Sequence, residues 1–297
     1  TFGTNKVILD RNGSNMDGNA ANTDLETDGQ SVILVFMDST KGWSFINDDD
    51  VSTAGASFIV ATGGNTVANC GNFKVHTFTS PGTFCVSAVG NAGGSSTVSY
   101  VVVGGGGGGG ANRGGGGGAG GFRESKAASD SYTASPLNAT SGPTYNLPVS
   151  VQGYPITVGG GGTGDPAPSP NTTTGTNGAN SVFSTITSAG GGGGGSRDKT
   201  AGLNGGSGGG GGSSGPAPGG ISGAGGSGNT PPVSPPQGSN GGGSVPGGGP
   251  LTPGSGGGGA TAVGANNPTS ASGPGTDGGA GATSSITGGA VARAGGG

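Results

Sequence analysis

The sequence predicts β-rich N-terminal modules followed by a glycine-rich bundle of polyproline II (polyglycine II) helices, with essentially no α-helix. Three observations lead to this fold class. Glycine supplies 80 of the 297 residues and charged residues only 8%, whereas an ordinary soluble domain has roughly 7% glycine and about 25% charged residues. The glycines are unevenly distributed, with 13 in residues 1–103 and 67 in residues 104–297. Strand-like apolar patterns occupy the first part, and glycine runs separated by Ser, Thr, Asn and Pro occupy the second.

The part before the glycine divides into two predicted modules. Residues 1–52 form a small β module, in which residues 31–37 (SVILVFM) have the β-branched apolar pattern of a buried strand. Residues 53–103 form a hairpin or sandwich-like module. There, residues 73–89 contain two alternating segments around Pro81-Gly82, which predicts a hairpin. Residues 97–103 are predicted to be the last strand before the glycine begins.

Residues 104–297 form the predicted glycine-rich body. A Gly/Ser-rich segment is a flexible linker by default, because ordering each residue costs roughly 1–2 kcal/mol and few side chains are available to bury. Backbone N–H and C=O groups are the only interacting groups present in sufficient number. In polyproline II these groups point outwards with three residues per turn, and glycine lets neighbouring helices approach until their backbones touch. We therefore predict polyproline II segments folded back and forth, with two short strands at residues 154–158 and 181–187.

Collagen is the competing polyproline II structure, and the sequence argues against it. A collagen triple helix requires glycine at every third position without interruption. Residues 230–237 (TPPVSPPQ) and 260–263 (ATAV) break that period. Runs of five to seven consecutive glycines, such as residues 104–110, instead indicate a helix that is crowded on all sides.

Two sets of motifs resemble proteins of tailed bacteriophages. Residues 5–18 (NKVILDRNGSNMDG) and 38–45 (DSTKGWSF) resemble a small module of tail fibres, especially from phages of marine cyanobacteria. A longer series of segments resembles the glycine-rich domain of similar virion proteins. These segments are residues 74–86, 98–110, 117–123, 154–162, 181–195 and 232–238. The resemblance implies a virion structural protein, a tail fibre or adhesin that binds a host-cell surface receptor outside the cell. Its implied partners are other fibre or tail proteins, a host-surface glycan or outer-membrane protein, and further copies of the chain, with a homotrimer favoured.

Two other functions remain open at this point. The chain could be a self-assembling extracellular filament subunit made by a cell. It could also be an ice-binding protein, since polyproline II bundles can present flat faces, although long irregular loops between the glycine runs disfavour that reading.

The sequence predicts no enzyme, no cofactor and no metal site. His76 is the only histidine, and no nucleophile or acid–base pair stands out around it. The many GxGxxG matches follow trivially from polyglycine, because a dinucleotide site also needs a strand, a helix and a downstream acid. The ten Lys and Arg are scattered, so the electrostatic footprint of nucleic-acid binding is missing. No apolar run approaches the roughly 18 residues of a membrane span.

The candidate receptor-binding residues lie in two polar loops. Tyr132 and Tyr145 are in residues 125–152, and Asp165 and Asn171 are in residues 165–180. A tyrosine offers a flat apolar face with a polar tip, which suits sugars and protein loops. The same tyrosines could equally cover the flank of the glycine-rich body.

Cys70 and Cys85 are the only cysteines. They could form one disulfide, as suits an oxidising or extracellular setting. They could equally be two small buried apolar residues.

Overall fold

A computed structural model describes residues 4–26, 31–49, 57–91, 94–166, 173–197, 201–213, 223–244, 253–267 and 273–297. Within these ranges the chain forms β-strands and no α-helix, which confirms that part of the predicted fold class. The strands are β1 (Val7–Leu9), β2 (Thr23–Leu25), β3 (Ser31–Asp38), β4 (Gly42–Asp49), β5 (Val60–Thr62), β6 (Thr66–Cys70), β7 (Phe73–Thr77), β8 (Gly82–Ala88), β9 (Thr97–Val98), β10 (Tyr100–Val103), β11 (Phe122–Ser125), β12 (Asn138–Ala139), β13 (Leu147–Pro148), β14 (Gln152–Thr157), β15 (Ser181–Phe183), β16 (Ile186–Ser188), β17 (Ala282–Ser284) and β18 (Val291–Arg293).

The chain divides into two compact units. The first contains residues 1–59 and 89–96, and the second contains residues 60–88 and 97–297. In the first unit β1 pairs with β2 and β3 pairs with β4, both antiparallel. Residues 31–37 form a strand as predicted, but the expectation that it is buried is wrong, because Ile33, Phe36 and Met37 are exposed. The β3–β4 sheet has only two strands, and one face of such a ribbon is not enough to bury every side chain of an apolar run.

The second unit is built around a five-stranded sheet in the order β16-β15-β14-β8-β5. The hairpin predicted at residues 73–89 is not formed, since β7 pairs with β6 while β8 pairs with β14 and β5. Both edges of β8 are therefore occupied by strands distant in sequence. Because β8 and β14 lie on opposite sides of residue 103, the sheet joins the second predicted module to the glycine-rich part. The predicted boundaries at residues 52 and 103 themselves remain predictions.

A small aromatic core lies on this sheet. Phe84, Tyr100, Tyr154 and Phe183 are all buried. The Phe183 ring contacts the other three rings at centroid distances of 5.9 to 6.4 Å, edge-on in each case. Such edge-to-face pairs contribute roughly 0.5–1.5 kcal/mol each beyond the area they bury. The chain thus has a conventional core, although a small one.

The antiparallel pair β10–β11 continues into glycine without a change of register. Beyond Val103, which is opposite Phe122, the hydrogen bonds recur at every third residue of the run 104–110. Three of the seven glycines donate N–H groups to one neighbouring segment: Gly104, Gly107 and Gly110 donate to the carbonyls of Gly121, Gly118 and Gly115. The other four bond three further segments: Gly105 and Gly108 donate to Ala179 and Thr176 and accept from Gly191 and Gly194, and the carbonyls of Gly106 and Gly109 accept from Gly162 and Asp165.

The same period of three governs the space around each glycine. A Cβ atom on Gly107 would lie 2.1 Å from the carbonyl oxygen of Gly192, whereas a Cβ on Gly106 would find its nearest neighbour at 3.8 Å. In residues 104–110 only Gly106 and Gly109 have such room. In residues 190–194 and 208–212 every glycine is blocked by backbone atoms. Those two runs are therefore crowded on all sides, and residues 104–110 are open on one.

Asparagine side chains complete the hydrogen bonding at the margins of the glycine-rich segments. The Oδ1 atoms of Asn177 and Asn180 accept from the N–H groups of Gly193 and Gly190, both at 2.9 Å. Asn240 does the same for Gly228 at 2.8 Å. The asparagines between the glycine runs thus supply acceptors to amides that face no neighbouring backbone carbonyl.

Candidate functional site

A cleft of about 410 Å³ opens on the second unit. Its floor is formed by buried residues, Arg123, Ala189 and Gln237. Its walls and rim combine prolines, a valine and hydroxyl side chains: Pro143, Thr144, Thr185, Thr187, Pro231, Val233 and Ser234. The cleft is therefore mostly apolar, with a rim of hydroxyl groups and a single charged residue at its base.

Strand β11 places Arg123 at the base of the cleft. Successive residues of a strand point to opposite faces of the sheet. On one face, Phe122 packs against Ala260 and Ala282, and the Glu124 carboxylate accepts a hydrogen bond from the Ser284 hydroxyl at 2.6 Å. Arg123, between them in sequence, faces the other side and lines the cleft.

Gln237 is fixed in the floor of the cleft by hydrogen bonds from both its side-chain amide and its backbone. Its side-chain Nε2 donates to the carbonyl of Pro231 at 2.9 Å, and its Oε1 accepts from the N–H of Ala189 at 2.9 Å. Its backbone carbonyl accepts from the N–H of Phe122 at 2.7 Å. A Cβ atom on Gly121 would lie 2.3 Å from Oε1, so the close approach of Gln237 requires glycine at that position.

Among the described residues, the guanidinium of Arg123 has no counter-ion. The residue is 6% exposed, and among the described residues no group accepts a hydrogen bond from it or forms an ion pair with it. The ion pair that the described part of the chain does contain joins Lys6 to Asp24, in the other unit. A guanidinium carries five N–H donors and cannot lose its charge in a protein. Arg123 therefore offers a buried positive charge and unused donors to whatever enters the cleft.

Tyr100 lies close enough to Arg123 for the guanidinium charge to affect the pKa of its hydroxyl group. The Tyr100 hydroxyl donates to the backbone carbonyl of Thr144 at 2.9 Å. Burial raises the pKa of Tyr100, while a side-chain hydrogen bond with Thr144 and the positive charge of Arg123 act in the opposite direction. The bond to Thr144 also fixes one side of the cleft to the aromatic core. The cleft wall is thus anchored by a buried side chain.

Tyr132, one of the predicted receptor-binding residues, lies outside the cleft. Its ring is half-buried under the ammonium group of Lys126, 5.7 Å from the ring centroid. Burial and the nearby carboxylates of Glu124 and Asp130 raise the pKa of Tyr132. Its hydroxyl is buried without a hydrogen-bond partner of standard geometry among the described residues. These contacts make Tyr132 part of the packing around β11.

The other predicted receptor-binding residues are dispersed. The N–H of Tyr145 donates to the carbonyl of Gly142 at 3.1 Å, and the residue is half-buried next to Thr144 of the cleft. Asp165 donates its N–H to Gly109 at 3.0 Å and accepts from the Thr173 hydroxyl at 2.6 Å. No hydrogen bond, ion pair or ring contact within the described ranges joins Tyr132, Tyr145 and Asp165. Asn171 lies outside the described residues.

The disulfide predicted as one alternative for Cys70 and Cys85 is not formed, because both cysteines are free. The other alternative, two buried apolar residues, does not describe them either, since Cys85 is exposed and Cys70 is only half-buried. Cys70 ends β6 and Cys85 lies within β8. Since β6 pairs with β7 and not with β8, strand pairing does not bring the two thiols opposite each other.

His76 has a structural environment. Its Nδ1 lies 2.7 Å from the carbonyl oxygen of Gly63, and its ring meets Phe84 edge-on at 5.2 Å. Within the part of the chain that is described, no three His, Cys, Asp or Glu side chains are grouped as metal ligands would be. The same residues contain no apolar helix of membrane-spanning length.

Sequence reasoning missed Arg123 and Gln237. The available signal was the pair Arg123-Glu124, two opposite charges side by side that only Phe122 separates from a glycine-rich stretch, in a chain with only 8% charged residues. Strand alternation separates them onto opposite faces. Gln237 has no comparable signal, because the segment that supplies it is distant in sequence from every strand it contacts.

Comparison with known proteins identifies one family. The family model described as a glycine-rich domain matches residues 78–297. No curated protein and no solved structure gives a significant match. The matched region includes β8, the strands that build the cleft and all the long glycine runs. The chain therefore belongs to the glycine-rich domain family.

Proposed function

We propose that this chain is a structural protein of a phage tail fibre or adhesin, which reaches a host cell and binds a receptor on its surface. The observation that carries the proposal is the backbone hydrogen-bonded body, which fixes polar loops and the Arg123 cleft in place without a large side-chain core. Binding residues are commonly found on loops held by a rigid scaffold. Membership of the glycine-rich domain family and the motif resemblance to tail-fibre proteins both support this reading.

We infer further that the body is a bundle of polyglycine II helices. In polyproline II geometry every third residue faces the same neighbour, whereas in a β-strand every second residue does. The partners of residues 104–110 change with a period of three, which favours the former. None of the described glycines in that run has a positive φ, as the left-handed polyproline II helix requires.

This architecture offers a physical reason for the composition. A glycine has no Cβ, so a helix surrounded by others can place each carbonyl within about 3 Å of a neighbouring N–H. The net contribution of each such bond is only about 0.5–1.5 kcal/mol, but nearly every residue of the runs makes one. Many weak bonds in a regular array take the place of apolar burial.

Hydrogen exchange tests the bundle. The amides of residues 190–195 are hydrogen-bonded to other segments in the proposed bundle, and we expect them to be strongly protected. The same experiment on a flexible Gly/Ser linker would give exchange at the rate of unstructured peptide. Such unprotected exchange across residues 190–195 and 208–212 would refute the bundle.

Immunogold electron microscopy tests the function. An antibody raised against the folded chain, applied to phage particles and cells of its source, should label the periphery of phage tails. Label distributed along endless filaments on cells would instead support a cellular filament subunit. A pull-down of the folded chain with fractionated bacterial surface material then tests receptor binding directly.

We also propose that the chain is a homotrimer, as fibre proteins often share one axis among three copies. Sedimentation equilibrium of the purified protein should give three times the mass of one chain, 27.1 kDa. A stable monomer across the micromolar range would contradict the trimer without affecting the bundle.

A further inference from the structure

We propose that the Arg123 cleft binds a carboxylated sugar, with the sugar carboxylate on the Arg123 guanidinium. Such a residue would belong to an acidic glycan. This inference names the ligand class for the surface binding proposed above and rests on that proposed function.

The first argument is the unpaired charge. A buried charge is normally paired, because removing it from water without a partner is costly. Arg123 is 6% exposed, yet its guanidinium lines an open cleft without an acceptor among the described residues. An arginine guanidinium and a carboxylate form two parallel N–H···O bonds, so a carboxylate in the cleft would supply the missing partner.

The second argument is the charge balance of the cleft. Of the described residues that line it, Arg123 is the only charged one. One guanidinium matches the single negative charge of a carboxylate. A phosphate monoester carries about −1.5 to −2 charges at pH 7, and sites for it usually add further cations or a helix N-terminus. The cleft lining offers neither.

The third argument is the shape and chemistry of the walls. A pyranose ring has apolar C–H faces and a rim of hydroxyl groups. The cleft presents Pro143, Pro231 and Val233 as apolar surfaces, and Thr185 and Thr187 as hydroxyl groups on an exposed rim. Its volume of about 410 Å³ lies within the roughly 300–1,000 Å³ of ligand pockets. Apolar walls beside the guanidinium favour an organic anion over a strongly hydrated inorganic one.

Isothermal titration calorimetry of the full chain tests the proposal with four probes: galacturonate, galactose, acetate and inorganic phosphate. We expect galacturonate to bind at least about tenfold more tightly than the other three, because only galacturonate has both the ring and the carboxylate. Equal binding of phosphate, with displacement of galacturonate, would overturn the sugar assignment in favour of a general anion site. Equal binding of galactose would overturn the role of Arg123, and no binding of galacturonate would overturn the proposal as a whole.

Two variants locate the binding. Arg123→Met keeps an unbranched apolar stem and removes the charge, and it should weaken galacturonate binding at least about tenfold. Thr187→Trp places a large ring at the exposed mouth of the cleft and should have the same effect while leaving the buried floor intact. Lys74→Gln, which removes an exposed positive charge elsewhere in the same unit, is the matched control and should bind as the unaltered chain does. Retained binding in Thr187→Trp, with an unchanged thermal unfolding curve, would refute the site even if Arg123→Met failed to fold.

The pull-down with bacterial surface material separates this inference from the proposed function. If the chain binds cell surfaces but Thr187→Trp binds them equally well, the cleft assignment fails and the adhesin proposal stands. If galacturonate binds in the cleft but no bacterial surface is bound, the adhesin proposal fails and the carboxylate site stands.

Discussion

Neighbouring glycines of one run should respond in opposite ways to the same substitution. Gly107→Ala places a methyl group 2.1 Å from the carbonyl oxygen of Gly192, whereas Gly106→Ala places it 3.8 Å from its nearest neighbour. Ordinary van der Waals contact begins at about 3.4 Å. Both substitutions add the same methyl group within one glycine run, at residues that have no positive φ. A difference in stability between the two variants therefore reports only the packing around that methyl group.

The magnitude follows from the contacts that must move. Relieving the Gly107 clash separates residues 104–110 from residues 190–195, which stretches the two bonds between them, from the Gly191 N–H to the Gly105 carbonyl (2.8 Å) and from the Gly194 N–H to the Gly108 carbonyl (2.8 Å). Two hydrogen bonds at about 1 kcal/mol each and an overpacking cost of about 1–3 kcal/mol give a loss of roughly 3–5 kcal/mol. Gly106→Ala has no such cost, and it should stabilise by up to about 1 kcal/mol because alanine lowers the entropy of the unfolded chain.

Urea unfolding of the two variants measures this difference. With an m-value of about 2–3 kcal/mol/M, Gly107→Ala should lower the midpoint by roughly 1–2 M, and Gly106→Ala should leave it unchanged or raise it slightly. Equal destabilisation by both variants would refute the period-three packing, since it would mean that glycine is needed at every position for another reason. Equal tolerance of both would mean that the segments do not lie against each other.

Three further predictions concern side chains around this body. Glu124→Leu should lower the free energy of unfolding by about 2–4 kcal/mol, measured by urea unfolding, because it leaves the buried Ser284 hydroxyl without its acceptor. Glu124→Gln keeps an acceptor and should cost less. An equal cost would contradict the role of Glu124 as the acceptor of that hydroxyl. Asn180→Ala should cost about 1 kcal/mol and raise the exchange rate of the Gly190 amide, whose acceptor it removes; an unchanged exchange rate would show that Gly190 is bonded elsewhere. The pKa of Tyr132 is raised in the folded chain. Above about pH 10, where the unfolded tyrosine ionises, the native state therefore binds more protons than the unfolded state, and the free energy of unfolding falls as pH rises. Tyr132→Phe should make the fall in the free energy of unfolding between pH 9 and 12 shallower, and an identical slope would contradict the shift.

Several elements could be predicted from local pattern, and others could not. The strands β3, β10 and β14 lie close to the predicted residues 31–37, 97–103 and 154–158, because β-branched and apolar residues favour extended backbone locally. Residues 181–187 were predicted as one strand, but they form the hairpin β15–β16. Its turn places Ser184 at a φ of 54°, and serine gives none of the signal that Asn-Gly gives for such a turn.

Neither the strand partners nor the cleft could be predicted from local sequence pattern. The hairpin predicted for residues 73–89 failed because β8 gains two long-range neighbours, β5 and β14, and no local spacing encodes a partner some 70 residues away. The loops proposed for binding were chosen by composition, and Tyr132 proved to be packed beside Glu124. Arg123 was not predicted as a site residue, because what marks it is the lack of a counter-ion among the described residues. That lack depends on every segment that folds around its side chain.

The amino-acid sequence alone determined that this chain lacks helix-forming stretches, that its first hundred residues are rich in strand patterns, and that the rest must use its backbone where side chains are missing. These features follow from composition and local conformational preference, which each residue carries wherever it lies. Only the tertiary structure decided which glycines are enclosed and which face outwards, and that Arg123 is buried at the base of a cleft with no counter-ion in the part of the chain that is described. Those features depend on contacts between segments far apart in the chain, since a backbone amide bonds equally well to any carbonyl that the fold brings within reach.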